Sequence, residues 1–408
     1  MQHRGFGGRA RPVEIRSPRR AGKDPRALRP HPRRRGLGRV PPTRATMRPL
    51  ALHDLHAARG ATFAEVQGCE VVSHYGDAAA EHAALRSRAV VFDLGFRSRL
   101  CLTGADRVAF LHGQVTNDVK ALAPGAGCYA ALVTARAKMV SDLNLWRLQD
   151  ELLLDFEPGL AAAVTGRLEK FIVASDVQVL DASPHFGHLS VQGPRAAELL
   201  ARADLPAEAP GLNLSSVSVD DAALGQQLVM NLPRAGTAGF DIFATGSATA
   251  GLLEKLLEAA RHVGGRAAGW QALEWARVEA GIPRFGADMD ETTLPPEAGI
   301  ESRAVSYSKG CYAGQEVIAR IRTYGQVARR LCGLRLADEL APLPPRGEQL
   351  LKDGKEAGFV TTAIASPALK ANIALAYVRR EACVMGTELT LSPGTGASMA
   401  RVVALPFA

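Results

Sequence analysis

The chain has 408 residues, 47% hydrophobic and 22% charged, which is the balance of a globular protein with two or three domains and ample chain for a core. It contains no run of 18 apolar residues, which excludes a membrane-spanning helix. The net charge is +8, but residues 1–46 alone hold +12 (thirteen Arg and one Lys against Glu14 and Asp24), which leaves the rest at −4 and gives the body no bulk-charge pull on nucleic acid.

Residues 1–46 are rich in Arg, Pro and Gly and have almost no apolar periodicity. They cannot bury enough surface to offset ordering entropy, so disorder is expected. Three readings stand: upstream sequence before a true start at Met47, an Arg-rich organelle transit peptide, or a basic nucleic-acid-binding arm.

From Met47 the pattern turns globular. Ala78 to Arg88 reads as a helix, and Val90–Gly95 is an apolar run ended by glycine. An internal repeat follows. Leu100-Cys101-Leu102-Thr103-Gly104 enters a helix through Val108 and Leu111. Leu189-Ser190-Val191-Gln192-Gly193 enters a helix through Ala197 and Leu200 in the same way, 89 residues later. Two such units predict two related α+β modules. Between and after them, Tyr129–Thr134, Met139–Leu148, Glu151–Phe156, Val217–Val219, Gln227–Asn231 and Phe240–Ala244 read as strands. Leu160–Phe171, Ala250–His262 and Trp270–Ala280 read as helices. The last has Gly281 at its end and Pro283 just beyond, as helix ends prefer.

Lys309-Gly310-Cys311-Tyr312-Ala313-Gly314-Gln315-Glu316 is the densest motif: a thiol on a glycine-rich loop that can approach a partner closely. The Lys309 ammonium, placed near the sulfur, would favour thiolate, the nucleophilic and metal-ligating form. After Glu316, Val317 to Arg322 alternates apolar and charged residues as a half-buried strand does. From about Val327 short strands punctuated by Gly and Pro predict a small barrel or sandwich. Residue pattern alone therefore gives α+β followed by all-β.

Cys69, Cys101, Cys128, Cys311, Cys332 and Cys383 are scattered without a C-x-x-C pair. This predicts reduced thiols in a cytosol-like compartment. Ordinary iron–sulfur clusters take four thiolates or a His substitute. The sequence offers no such set, so a cluster would be shared with a partner. His53/His56 and His185/His188 are expected to be ordinary surface or core histidines. There is no P-loop, no H-E-x-x-H and no G-x-G-x-x-G opening a helix.

The eight residues from Lys309, with Arg320 in register, resemble the K-G-C-Y-x-G-Q-E signature of YgfZ-type folate-binding proteins. These support iron–sulfur cluster assembly and repair and are relatives of the glycine cleavage T-protein. Leu55–Ala61 also resembles the opening of T-proteins. The resemblance runs from Met47 to the C-terminus. It implies two interleaved ferredoxin-like α+β modules (47–326) around a central tetrahydrofolate channel, then a C-terminal β-barrel (327–408).

By the same resemblance Asp241, in Gly239-Phe240-Asp241-Ile242-Phe243, takes the place of the pterin-binding acid, one methylene shorter. Arg277, in Ala276-Arg277-Val278-Glu279-Ala280-Gly281, faces the ligand. Asn117, in Val115-Thr116-Asn117-Asp118, and Tyr129 flank the folate. Asp142 stands in Ser141-Asp142-Leu143, where T-proteins carry D-D-L with an aspartate by folate N10; which of that pair Asp142 matches stays open.

The expectation is a tetrahydrofolate-binding monomer in the cytoplasm, or the mitochondrial matrix if residues 1–46 are a transit peptide. It supports iron–sulfur clusters through Cys311, tuned by Lys309, together with a cluster carrier or client protein. Membrane and nucleic acid are not expected as partners. The alternative is a folate-dependent aminomethyltransferase, in which the cysteine loop has no part.

Overall fold

The computed structural model describes residues 47–206, 214–391 and 398–407. The reading of residues 1–46 falls outside them. The described chain opens with α1 (His53–Ala57), a hairpin of β1 (Thr62–Val66) and β2 (Cys69–His74), α2 (Ala78–Ser87) and β3 (Val90–Asp93).

The internal repeat then appears as two copies of one topology. The first copy is β4 (Ser98–Thr103), α3 (Arg107–Gln114), β5 (Gly127–Val133), β6 (Met139–Arg147), β7 (Leu152–Phe156), α4 (Ala161–Glu169) and β8 (Gln178–Asp181). The second is β9 (Phe186–Gln192), α5 (Ala196–Arg202), β10 (Ser216–Asp221), β11 (Gly225–Asn231), β12 (Gly239–Thr245), α6 (Thr249–His262) and β13 (Arg266–Ala267). Their sheets run β5-β6-β7-β4-β8 and β10-β11-β12-β9-β3-β13. The strand orders match except that β3, from before both copies, is inserted beside β9, so the chain threads one module through the other.

Gly104 and Gly193 explain why the repeat needs its glycine. Both have positive φ, +99° and +128°, and a Cβ there would lie 2.2 Å from the Asp176 carbonyl oxygen and 2.5 Å from that of Arg88. Each sheet packs its helices over one face. Leu100, Leu111, Leu132, Leu145 and Leu154 form one core, and Leu189, Val191, Leu199, Ile242 and Leu256 the other. A single core Leu→Ala costs roughly 2–5 kcal/mol.

After the modules come α7 (Trp270–Glu279), α8 (Glu301–Ala304) and α9 (Gln315–Tyr324). The chain then closes a six-stranded barrel of β14 (Arg329–Leu336), β15 (Gln349–Lys352), β16 (Lys355–Ser366), β17 (Ala371–Arg379), β18 (Glu388–Leu391) and β19 (Met399–Val403), ordered β14-β17-β16-β15-β18-β19. This α+β architecture with a terminal barrel is the one expected.

Two expectations are corrected. Val317–Arg322 is not a strand but the body of α9. Ile318 and Ile321 stand three apart, so the same letters put both on one helix face, and Ile318 is buried. Nor are all six cysteines reduced. Cys332 and Cys383 form a disulfide, S–S 2.06 Å. Cys332 is on β14 and Cys383 follows β17, the strand paired with it. The 51-residue separation hides a contact that the pairing of β14 with β17 makes. No helix among the described residues is long and apolar enough to cross a membrane.

Candidate active site

A cleft lies between one face of the first sheet and α7. Strand alternation builds one wall. Along β6, Leu143 and Leu145 pack in the core of the first sheet and Ser141 is buried, so Asp142 and Asn144 point the other way and line the cleft. Of the Ser141-Asp142 pair, Ser141 is buried and Asp142 borders the cleft. Helical periodicity builds the opposite wall. Trp270, Leu273, Glu274 and Arg277 stand at spacings of three and four on α7 and all border the cleft.

Asp142 is the most perturbed acid that lines it. Burial and the charge of Glu157 push its carboxyl up to about 6. Tyr129 donates its hydroxyl to Oδ2 at 2.8 Å, while Oδ1 is buried with no partner. Burial and the neighbouring Asp142 charge in turn hold the Tyr129 phenol well above its ordinary range, so it stays a donor.

Beneath this end lies a closed ion network that joins the two modules. Asp155 accepts from Arg97 at 2.7 and 3.1 Å and from Arg234 at 2.7 Å. Arg234 also binds Asp241 at 2.5 Å, and Asp241 binds His188 at 2.8 Å. Burial alone would raise both carboxyls, but the charges of Arg97 and Arg234 hold Asp155 far below the usual range, and those of Arg234 and His188 hold Asp241 at about 2. Arg277 is buried against Glu274 at 2.8 Å and against Asp288. Burial would lower its pKa, yet those two charges raise it.

The structure sorts the sequence candidates. Tyr129, Asp142 and Arg277 border the cleft. Asp241 does not. It is wholly buried behind Arg234, with both oxygens engaged, and shapes the cleft only through that guanidinium. Besides Asp142, the carboxylates that reach the wall are Glu157 and Glu274. Asn117 is a bracket: its amide donates to the Tyr129 and Arg303 carbonyls, 2.9 Å each.

Cys311 is exposed but does not border the cleft. Lys309 does not serve that sulfur either. Its buried ammonium donates to the main-chain oxygens of His112, Val115 (2.7 Å) and Asn117 (2.9 Å), and burial lowers its pKa to about 8. It rivets the cysteine loop to the end of α3. Lys309→Met should therefore free the loop. Chymotryptic cleavage after Tyr312 is expected to accelerate by roughly tenfold or more, and an unchanged rate would show that the anchor is dispensable. Among the described residues no group of three or more His, Cys, Asp or Glu could hold a metal, so Cys311 stands as a single sulfur.

Sequence reasoning missed Arg97, Glu157, Arg234, Glu274, Arg284 and Arg303. For Glu274 a signal existed, since it stands one helical turn before Arg277. Arg303 stands on the short helix α8, and the others come from turns and strand ends that give no local cue.

Comparison with known proteins agrees with this geometry. Residues 52–309 match the model of the GCVT N-terminal domain, and residues 329–408 that of the glycine cleavage T-protein C-terminal barrel domain. The chain is similar to the aminomethyltransferase of Geobacillus kaustophilus, 30% identical over 87% of this chain and 97% of that one. It is similar to that of Saccharopolyspora erythraea at 29% over 88% and 98%. Among solved structures, the glycine cleavage system aminomethyltransferase T of Bartonella henselae superposes with a TM-score of 0.80 at 27% identity, covering 89% of this chain and 98% of that one. The chain therefore belongs to the glycine cleavage T-protein family, and its two α+β modules and barrel are that family's fold.

Proposed function

We propose that the protein is a folate-dependent aminomethyltransferase that holds tetrahydrofolate in the cleft and uses Asp142 as its proton-handling group. One observation carries the reading: a buried carboxylate inside the cleft, with Oδ1 unpartnered and its pKa raised to about 6. A general base works best with its pKa near the operating pH. The relatives named aminomethyltransferase support it.

The wall residues fit a reduced pterin. Glu157 and Glu274 present carboxylates to a donor-rich edge, and a carboxylate keeps acceptor sites beyond those its arginines use. Bound tetrahydrofolate supplies the two nitrogens that take up the one-carbon unit. In the transfer, the carbon–sulfur bond of a lipoyl-bound aminomethyl group and its carbon–amine bond break, and two carbon–nitrogen bonds form. The two displaced N–H protons end on the sulfur and on ammonia. Asp142 is placed to accept one and pass it on, and Tyr129 orients the carboxylate through its 2.8 Å hydrogen bond. Purified protein, tetrahydrofolate and an aminomethyl-loaded lipoyl carrier should yield methylene-tetrahydrofolate and ammonia. Bound folate without either product would refute the transferase reading.

A second reading, the YgfZ-type role in iron–sulfur cluster assembly, draws on one feature the transfer does not use: the exposed Cys311 on its riveted loop. The described residues make no resident cluster site, so a cluster would be cargo carried by a partner, with Cys311 touching it. Under this reading Cys311→Ala abolishes support of iron–sulfur enzyme activity in cells while folate binding persists. Full support by the variant would remove it.

A further inference from the structure

We infer that Arg303 is the receptor for the carboxylate tail of the folate and makes the protein selective for glutamylated over tail-less reduced pterins; this rests on the folate reading above. Five arginines border the cleft. Four are neutralised. Arg97 is held by Asp155 and Glu157, Arg234 by Asp155 and Asp241, Arg277 by Glu274 and Asp288, and Arg284 by Glu274 and Glu157. Arg303 makes no ion pair among the described residues. Its guanidinium lies over the Tyr129 ring, 4.9 Å from the centroid. Of the residues lining the cleft it alone is exposed, so it marks the mouth.

Its main chain is held in place. The Asn117 amide clasps the Arg303 and Tyr129 main chains together, 2.9 Å to each carbonyl. Tyr129 in turn holds Asp142. The cleft thus runs from interior walls rich in paired charge, past Asp142, to one uncompensated cation at the opening. A folate has the same polarity. Its pterin is the donor-rich head, N10 lies between, and its carboxylates follow one aromatic ring and an amide further out. A planar guanidinium with free donors pairs well with a carboxylate. A neutral tail would leave that cation without a counter-charge.

The test uses the full chain and three ligands: tetrahydrofolate, its triglutamate form, and tail-less 6-methyltetrahydropterin, titrated by calorimetry against wild type, Arg303→Gln and Arg303→Lys. Wild type should bind both glutamylated ligands more tightly than the tail-less one, the more so at low salt. Arg303→Gln should weaken the glutamylated ligands by about tenfold or more and leave the tail-less one unmoved, and Arg303→Lys should recover part of the loss. Glutamylated binding undiminished in Arg303→Gln overturns the inference. So does an equal loss for the tail-less ligand, which would mean that Arg303 acts on the head through Tyr129. Wild type that binds none of the three would refute the folate reading itself, a separate outcome.

Discussion

Asp142→Asn should lower the rate of aminomethyl transfer at least ~100-fold and, at neutral pH, make the protein more stable. The two effects have one cause. Burial and Glu157 hold the carboxyl at about 6 in the folded chain, above its unfolded value near 3.9. A carboxyl whose pKa is raised by folding contributes stability below the unfolded value. That contribution is lost as pH rises through the folded value. At pH 7 the ionised Asp142 therefore costs on the order of 2–3 kcal/mol, which the amide does not. The melting temperature of Asp142→Asn should exceed wild type by several degrees at pH 7.5, and the gain should vanish by pH 4. The amide keeps an oxygen for Tyr129, so tetrahydrofolate affinity should change far less than turnover. A variant that transfers normally, or one destabilised at pH 7.5, would remove Asp142 from its assigned role.

The second large effect is structural. Asp155→Ala should destabilise the fold by about 3–5 kcal/mol, measured by urea unfolding at pH 7, because it leaves buried guanidinium charge without its partner. Asp155 is fully buried and receives Arg97, Arg234 and Asn144. Arg234 ties it to Asp241 in the other module, so the loss reaches both sheets. Surface pairs offer the control. Glu198 pairs with Arg195 and Arg202 on the solvent side of α5, where ion pairs contribute little. Glu198→Ala should leave the unfolding midpoint unmoved. The acid limb follows from the same network. Asp155 and Asp241 are depressed carboxyls, so their contribution is present above the unfolded value and is lost as pH falls through about 2 for Asp241 and lower still for Asp155. Asp155→Ala should unfold at a higher pH than wild type, and coincident acid transitions would contradict this assignment.

Local features of the chain announced most of the fold. The repeat was visible because Gly104 and Gly193 each sit where a Cβ would strike main chain, and the strand–glycine–helix pattern survives around them. The helix read at Trp270–Ala280 was legible from its glycine–proline ending, and it ends at Glu279. Helix α9 was misread because isoleucines three apart satisfy a helix face while their charged neighbours mimic strand alternation. The Cys332–Cys383 bond could not be read, since it depends on the long-range pairing of β14 with β17.

The site divides in the same way. Tyr129 and Asp142 were reached through the family resemblance, and each stands on a paired strand, β5 and β6. Asp241 was placed one layer too far forward. Its neighbourhood depends on Arg234, contributed by the turn between β11 and β12, and no spacing rule ties that arginine to Asp155, 79 residues earlier. The cysteine motif was legible as a motif, but the bonds that Lys309 makes to α3 carbonyls were not, because they cross almost two hundred residues.

The most direct test of the account is the single-turnover rate of methylene-tetrahydrofolate formation by the wild-type protein from an aminomethyl-loaded lipoyl carrier, followed from pH 5 to 8. The account predicts product, with a rate that climbs tenfold per pH unit at the acid end and levels off above a pKa of about 6, as ionisation of Asp142 requires. A flat profile, or no product at any pH while folate remains bound, would contradict it.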